Sequence, residues 1–393
     1  MDLVAIQTAL RSQGVDGWLF CDHHRRDPMA YRILGLKTTQ MASRRWFYWL
    51  PAVGEPVKLA HRVEPKMLDA LPGRQEHYLA WTELHEKLKA MVGGAKKIAM
   101  QYSPDNNIPY IGLVDAGTIE LIRSFGPVIA TSADLVQQFE ATFGDGGMAS
   151  HAWACERVQR VKDETFAAMA KALTTGARVT EYELKEQIVR RFDEEGLTCE
   201  GESPIVGFND HPADPHFEPT LENAYTLKQG DTILLDLWAR RVEPVGIYYD
   251  ITWCAYAGDK PPAKYAEIFR VAREARDAAV DFVSRRLEQG TPVHGYEVDD
   301  ACRKIVKDAG YGDYFLHRTG HSIGTTVHGN GANIDNLETK DERLIVPGTC
   351  FSVEPGIYLA GEWAVRTEVD VYVSSAGKAQ VLGSVQRDLV LLG

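Results

Sequence analysis

The sequence predicts an α+β chain: a small α/β domain over residues 1–147, then a domain over residues 148–393 in which a curved, largely antiparallel sheet packs under helices. Three observations carry this. Short helical and extended patterns alternate through the first 145 or so residues. Three glycines within Gly144-Asp145-Gly146-Gly147 break every periodic pattern and mark a boundary. Beyond them, long amphipathic helices are separated by strand-like runs, several of them apolar on both faces.

In the first part, Val4 to Leu10 and Trp81 to Met91 read as helices, and Gly17 to Cys21, Arg45 to Leu50 and Lys97 to Gln101 as strands. The second part opens with one long helix, Met148 to Thr175, stopped by Gly176. Thr180 and Glu183 then have the spacing of a capping box, and the helix they start closes at Gly196. Pro261-Pro262 begins a further helix whose apolar positions Tyr265, Ile268, Phe269, Ala272, Ala279, Val280, Val283 and Leu287 keep the 3.6 period up to Gly290. Val298 to Ala309 repeats that logic. The strand-like runs are Thr232 to Trp238, Ile247 to Cys254, Cys350 to Val353 and Val365 to Val373.

Composition narrows the function classes. With 393 residues, 45% hydrophobic and 25% charged, the chain is an ordinary globular protein, neither disordered nor a disulfide-stapled miniature. Its net charge of −12 repels phosphate backbones and anionic lipid, which argues against nucleic acid and membranes as partners. The six cysteines are scattered with no C-x-x-C pair, as expected of reduced thiols in a cytoplasm. Met1-Asp2-Leu3-Val4 lacks a basic start before an apolar stretch, so no export or anchoring is expected.

Chemistry is signalled where apolar runs are interrupted by charge. Asp236 lies in ILLDLW, where burial on both sides demands a cation or several donors, unless the residue sits at an exposed strand end or caps a turn. Asp250 repeats the pattern in IYYDIT. Two such carboxylates on adjacent strands would face one another and repel unless a metal lay between them. His317, His321 and His328 fall in one twelve-residue window, HRTGHSIGTTVH, whose glycines argue for irregular backbone and against a helical H-E-x-x-H pair; singly, each could be a core or surface histidine. Glu354 closes CFSV before Pro355-Gly356, either at a buried strand end or in a solvated turn. In VRTEVDV the period of two puts Arg366, Glu368 and Asp370 on one face, which alone reads as solvent-facing.

Taken in order, LLDLW, YYDITW, HRTGHSIGTTVHG, FSVEPGIY and VRTEVDV resemble the metallopeptidase family of methionine aminopeptidase, aminopeptidase P and prolidase. The resemblance implies a creatinase-like N-terminal α/β domain and a C-terminal pita-bread catalytic domain. It further implies that Asp236, Asp250, His321, Glu354 and Glu368 ligate two divalent metals. Asp236 would grip one ion, His321 and Glu354 the other, and Asp250 and Glu368 would bridge. Four carboxylates offset the charge of two such ions, and an oxygen-rich shell with one imidazole favours Mn²⁺, with Co²⁺ or Zn²⁺ as alternatives. The implied chemistry is hydrolysis by a hydroxide bridging the ions. His317, His328 and His216 would face the substrate, with His211 as a rival for His216 in PIVGFNDHPADPHFEP. Glu354 would relay a proton, and Arg366 would orient Glu368.

A front domain separates the chain from methionine aminopeptidases, and the complete metal set separates it from creatinase, which leaves Xaa-Pro peptidases. Length near 390 residues suits a prolidase cleaving Xaa-Pro dipeptides better than an aminopeptidase P acting on longer peptides; a catalytically silent peptide-binding member is the third reading. Arg343 and Lys340 are candidate clamps for a dipeptide carboxylate, or solvated surface charges. The resemblance also implies a homodimer. Two departures stand out. Thirteen residues separate Asp236 from Asp250, more than the family usually has, so an extended Arg240 to Val245 turn is expected. Trp238 and Trp253 occupy positions where smaller or charged residues are common, and would narrow the pocket.

Overall fold

The computed structural model describes residues 1–243 and 246–393, which divide into two compact units, Met1–Glu140 and Ala141–Gly393. In the first unit the helices are α1 (Leu3–Ser12), α2 (Pro28–Leu34), α3 (Trp81–Met91), α4 (Ala116–Ser124) and α5 (Ala133–Glu140). Its strands are β1 (Gly17–Asp22), β2 (Trp46–Pro51), β3 (Val57–His61), β4 (Arg74–Tyr78), β5 (Lys97–Met100) and β6 (Val128–Thr131). They form one mixed sheet in the order β4-β3-β2-β1-β5-β6. Alternation along β1 and β2 divides the core: Trp18, Phe20, Tyr48 and Leu50 pack on one face, Leu19, Phe47 and Trp49 on the other. The five elements expected here from sequence are all present.

The second unit contains α6 (Asp145–Thr175), α7 (Glu181–Glu194), α8 (Ala263–Glu288) and α9 (Gly295–Asp308). Its strands are β7 (Leu197–Thr198), β8 (Ile205–Phe208), β9 (Thr232–Arg241), β10 (Tyr249–Tyr256), β11 (Ser322–Ile323), β12 (Cys350–Val353), β13 (Gly356–Leu359), β14 (Trp363–Arg366), β15 (Val369–Val373), β16 (Ala379–Val381) and β17 (Val390–Leu391). One sheet runs β17-β10-β9-β7 with β8 also on β9; a second runs β11-β12-β15-β16; β13 and β14 make a hairpin. Apart from the parallel β10–β17 pair, these ladders are antiparallel. Odd-numbered residues of β9 (Ile233, Leu235, Leu237, Ala239) pack with α6 and α7, and Val353, Val365, Val369 and Val371 pack with α8 and α9. The even-numbered face of β9 and β10 is therefore left to look toward the second sheet, and that face carries Asp236 and Asp250.

Three local expectations change. The long helix begins at Asp145, capped by Gly144, because Gly146 and Gly147 are taken into its first turn. Strand β9 continues to Arg241, so part of the long Asp236–Asp250 connection is strand; Pro244 and Val245 of the expected Arg240–Val245 turn lie outside the described residues. The run Val365 to Val373 is two strands, not one: β14 ends at Arg366 and β15 begins at Val369. Thr367 and Glu368 break the period, so Arg366, Glu368 and Asp370 do not share a solvent-facing stripe; all three are buried. The capping box of Thr180 and Glu183 forms as the spacing requires, with Thr180 Oγ1 accepting from Glu183 N at 3.2 Å. Among the described residues no helix is long and apolar enough to cross a membrane.

Gly320 shows how tightly the segment before β11 is set. The chain passes so close to β12 that Ser352 N donates to His321 O at 2.8 Å and Glu354 N to Thr319 O at 2.7 Å. A Cβ on Gly320 would lie 1.9 Å from Ser352 O, a backbone atom that cannot step aside. Gly320→Ala should therefore lower stability by about 1–3 kcal/mol through overpacking, read as a reduced urea midpoint; an unchanged midpoint would contradict the close approach.

Candidate metal centre

Five sequence-distant side chains converge between the two sheets of the second unit. Asp236 sits on β9, Asp250 on β10, His321 just before β11, Glu354 just after β12 and Glu368 in the break before β15. In the β9–β10 ladder Asp250 lies opposite Trp238 and Asp236 opposite Thr252, so the two aspartates are diagonal neighbours on one face rather than a facing pair. Thr252 fills the gap. Its hydroxyl lies 3.0 Å from Asp236 Oδ1 and 2.7 Å from Glu368 Oε2, and it accepts from Arg366 Nε at 3.0 Å. One hydroxyl proton serves one of the two carboxylates at a time.

His321 is held by its surroundings in a ligand-ready state. Its Nδ1–H donates to Ser322 O at 3.2 Å, which leaves the Nε2 lone pair 3.4 Å from Glu354 Oε1 and 3.7 Å from Asp250 Oδ2. Upstream, Asp299 of α9 accepts from Thr319 N at 3.0 Å and from Thr319 Oγ1 at 2.6 Å. Arg303 donates to the carbonyls of Phe315 and His317. The histidine segment is thus fixed from α9 on one side and β12 on the other.

Electrostatically the cluster is unbalanced as protein alone. Burial, then mutual repulsion with Glu368, Asp236, Asp370 and Glu354, holds Asp250 well above the usual carboxylate range. Glu368 is raised well above it by burial and by Glu354 and Asp236. Glu354 is pushed up to about 7 by burial, opposed by Arg366. Asp236 is raised less because Arg366 Nη2 bonds its Oδ2. Burial holds His321 well below the ordinary imidazole value. Asp250 Oδ1 and Glu368 Oε1 are buried with no hydrogen-bond partner among the described residues. Asp250, His321 and Glu368 each offer a ligand atom within 4.8 Å of the others. Orphaned carboxylate oxygens around a neutral imidazole suit divalent cations, and Asp236 and Glu354 stand beside them.

These groups open on a cavity of about 470 Å³ lined also by His216, Trp238, His317, Arg318, His328, Glu338 and Glu202. His216 lines it and His211 does not. The His211 ring is stacked at 3.7 Å on Tyr225, and its Nδ1 lies 2.9 Å from both oxygens of the buried Glu181, a purely structural arrangement. His328 packs against His321 with ring centroids 4.3 Å apart. Burial holds His328 at about 4 and His317 at about 3, so both are neutral donors or acceptors at pH 7. His317 has both nitrogens occupied: Nδ1–H donates to Arg318 O and Nε2 accepts from the Tyr358 hydroxyl, each at 2.7 Å. It lines the cavity as a fixed wall.

Other expectations are corrected by geometry. Arg366 reaches Asp236, Thr252 and the Tyr358 hydroxyl, not Glu368. Arg343 is buried in a fork with Asp341 and donates to Asn330 O, and Lys340 pairs with Glu342 at the surface. Neither lines the cavity, whereas Arg318 does. Trp238 narrows the cavity, but Trp253 lies on the opposite face of its strand under the ammonium of Lys162 at 3.6 Å. Sequence reasoning passed over Thr252, Arg318 and Tyr358. Thr252 was detectable as the residue two beyond Asp250 on the same face, and Arg318 from its place between the window's histidines. Tyr358 carried no signal.

Residues 154–375 match metallopeptidase family M24. The chain belongs to that family. It is 33% identical over 205 residues to the Xaa-Pro dipeptidase of Lactobacillus delbrueckii subsp. lactis, covering 52% of this chain and 49% of that one. The chain thus spans about half the length of the curated relatives it matches. Among solved structures, dipeptidase PepE from Mycobacterium ulcerans superposes with a TM-score of 0.72 at 25% identity, over 99% of this chain and 96% of that one. A prolidase from Thermococcus sibiricus superposes with a TM-score of 0.66 at 22% identity, over 100% and 99%. The M24 member described here has their fold, the pita-bread arrangement of curved sheet under helices, as the sequence led one to expect.

The carboxyls of the metal centre should make metal-free protein lose stability relative to metal-loaded protein as pH rises from 6.5 to 8. In this window unfolded carboxyls are ionised, whereas burial and mutual repulsion hold Asp250, Glu354 and Glu368 above the usual carboxylate range in the folded chain, so these groups bind more protons folded than unfolded and their contribution falls with rising pH. The buried His151, His317, His321 and His328 work with the opposite sign, being neutral when folded while unfolded imidazoles still shed protons near 6.5, but that share is the same with and without metal. Asp27 in the first unit, pushed up to about 7 by burial, contributes with the sign of the carboxyls, but divalent metal should reverse only the share belonging to the metal centre. Thermal melts of chelator-treated protein with and without Mn²⁺ at both pH values check this; a metal-independent slope would contradict it.

Proposed function

We propose that this M24 protein hydrolyses the imide bond of Xaa-Pro dipeptides with two divalent ions, Mn²⁺ by preference, and that residues 148–393 form its catalytic domain behind the separate front domain 1–147. The observation that supports this most is the meeting of three buried carboxylates and the partly buried Glu354 with one lone-pair-bearing imidazole at a cavity of dipeptide size. In this reading Asp236, Asp250, His321, Glu354 and Glu368 would hold the two ions. Bound there, the ions would supply an activated water and polarise the scissile carbonyl.

The chain's own residues do the rest. Arg366 and Thr252 fix the oxygens of Asp236 and Glu368, so the ligand shell is set before substrate arrives. Glu354, its Oε1 held by the Ser352 hydroxyl at 3.1 Å, takes the proton of the attacking water and delivers it to the prolyl nitrogen. That nitrogen carries no N–H of its own and leaves only once protonated. His328 and His216 face the substrate carbonyl from the cavity wall. Arg318 supplies the positive charge for the free carboxylate that distinguishes a dipeptide from a longer peptide. A cytoplasmic setting accords with six cysteines that are all free thiols, and the homodimer belongs to this reading through the family resemblance alone.

Purified protein with Mn²⁺ should release proline from Ala-Pro, and Asp250→Asn or His321→Ala should abolish the release. Faster turnover of Ala-Pro-Xaa tripeptides than of Ala-Pro would replace the dipeptidase reading with an aminopeptidase one. Metal-loaded protein inert toward both would leave a silent peptide-binding member. Removing a charged hydrogen bond to the substrate carboxylate costs about 1.5–3 kcal/mol, so Arg318→Ala should raise KM for Ala-Pro about 10–100-fold while leaving kcat within a few-fold. Equal effects on dipeptide and tripeptide would refute the clamp.

A further inference from the structure

A second convergence lies beside the first, and the proposed chemistry makes no use of it. His151 of α6, Cys350 of β12 and Asp370 of β15 are each about 1% exposed. His151 Nε2 lies 3.9 Å from Asp370 Oδ2 and 4.0 Å from Cys350 Sγ, and one ligand atom from each of the three falls within 4.8 Å of the others. The imidazole is oriented for this. Its Nδ1 lies 2.6 Å from Tyr248 O and must donate there, which turns the Nε2 lone pair toward the thiol and the carboxylate.

The carboxylate is the second, independent observation. Asp370 Oδ2 accepts from Asp250 N at 2.8 Å, but Oδ1 is buried with no hydrogen-bond partner among the described residues. The surroundings offer little relief, since Ile247, Tyr248, Ile323, Val327 and Tyr372 pack around Cys350 as an apolar cluster. A buried carboxylate oxygen left without a partner points to an absent cation.

We propose that His151, Cys350 and Asp370 form a third metal site, separate from the carboxylate centre, that takes one Zn²⁺. The donor set decides the ion. A thiolate and a carboxylate cancel the charge of Zn²⁺, and one sulfur, one nitrogen and one oxygen match its borderline softness, whereas the sulfur-free carboxylate centre suits harder ions. Binding displaces the Cys350 proton to solvent, and three protein ligands leave one tetrahedral position for water. Tetrahedral Zn–N and Zn–S bonds of about 2.0 and 2.3 Å set the ligand atoms about 3.3–3.6 Å apart, so the pairs at 3.9 and 4.0 Å close by about half an ångström and the thiol–carboxylate pair, within 4.8 Å, by at most about 1.3 Å. The ion would tie α6 to β12 and β15, the strands that end just before Glu354 and begin just after Glu368, and would fix the carboxylate that holds the Asp250 backbone.

The test reads sulfur ligation, not activity, so it stands or falls apart from the dipeptidase reading. Full-length protein reconstituted with Co²⁺ should show a thiolate-to-cobalt absorption band in the near ultraviolet, which carboxylates and imidazole do not give. Asp250→Asn and His321→Ala should keep the band; Cys350→Ser and Asp370→Asn should lose it. Elemental analysis of zinc-loaded protein should fall by one zinc per chain in the same two variants. Wild-type protein without the band overturns the proposal, as does a band that survives in folded Cys350→Ser. Should both variants fail to fold, the chain with the other five cysteines changed to serine decides: a band kept with Cys350 as the sole thiol supports the site, and its loss overturns it.

Discussion

The second unit is organised by the cost of placing several carboxylates out of water within a few ångströms of each other. Each of Asp236, Asp250, Glu368 and Asp370 is less than a tenth exposed; burial raises all four, and repulsion from neighbouring carboxylates adds to it at Asp250, Glu368 and Asp370. Arg366 answers one of them, through its bond to Asp236. Among the described residues the remaining charge has no counterpart of that strength, which is why the site is intelligible as a metal centre and hard to explain as a packed core. Everything around it limits how far the acidic groups can separate: the ladder that puts Asp250 opposite Trp238, the hydroxyl of Thr252, and the close pass of Gly320 along β12.

That constraint also explains the architecture. Two sheets, each backed by its own helix pair, turn their inner faces toward each other, so polar groups there are screened from water without being committed to a hydrophobic layer. Period-two alternation on β9 gives Leu235 and Leu237 to the helices and Asp236 to the interior, and the same rule on β10 separates Ile251 from Asp250 and Thr252. Trp253 follows the odd face into the α6 side, and Trp238 the even face into the cavity. Two tryptophans that look equivalent in sequence therefore do different work.

Much of this was legible in the chain because charge inside an apolar run is a local signal. Asp236, Asp250 and Glu354 announced themselves that way, and five ordered blocks made the family recognisable. What stayed hidden depended on backbone geometry that no pattern encodes. A continuous strand from Val365 to Val373 would have aligned Arg366 with Glu368; the break at Thr367 sends them apart, and Arg366 meets Asp236 instead. Arg343 looked like a substrate clamp because its neighbour in space, Asp341, is also its neighbour in sequence and gives no hint of burial. The choice between His211 and His216 turned on Glu181, thirty residues upstream of His211, whose buried carboxylate binds the first and so leaves the second at the cavity.

The break between β14 and β15 is itself held from outside the sheet. Arg276 of α8, one of the largest fully buried side chains, donates to Thr367 Oγ1 at 2.5 Å and to Gln386 O at 2.9 Å. Gln386 in turn spans the edge of β10, donating to Cys254 O and accepting from Cys254 N. A guanidinium taken out of water is tolerated only where its donors are met, so this bridge fixes Thr367 between α8 and β10. Glu368, the next residue, then has one direction open, toward Thr252, and its backbone N–H donates to Thr252 O at 3.2 Å. The position of that carboxylate is therefore set by a helix whose own face never reaches the cavity, and it follows that substitutions on α8 distant from any ligand should be felt at the metal centre through Thr367.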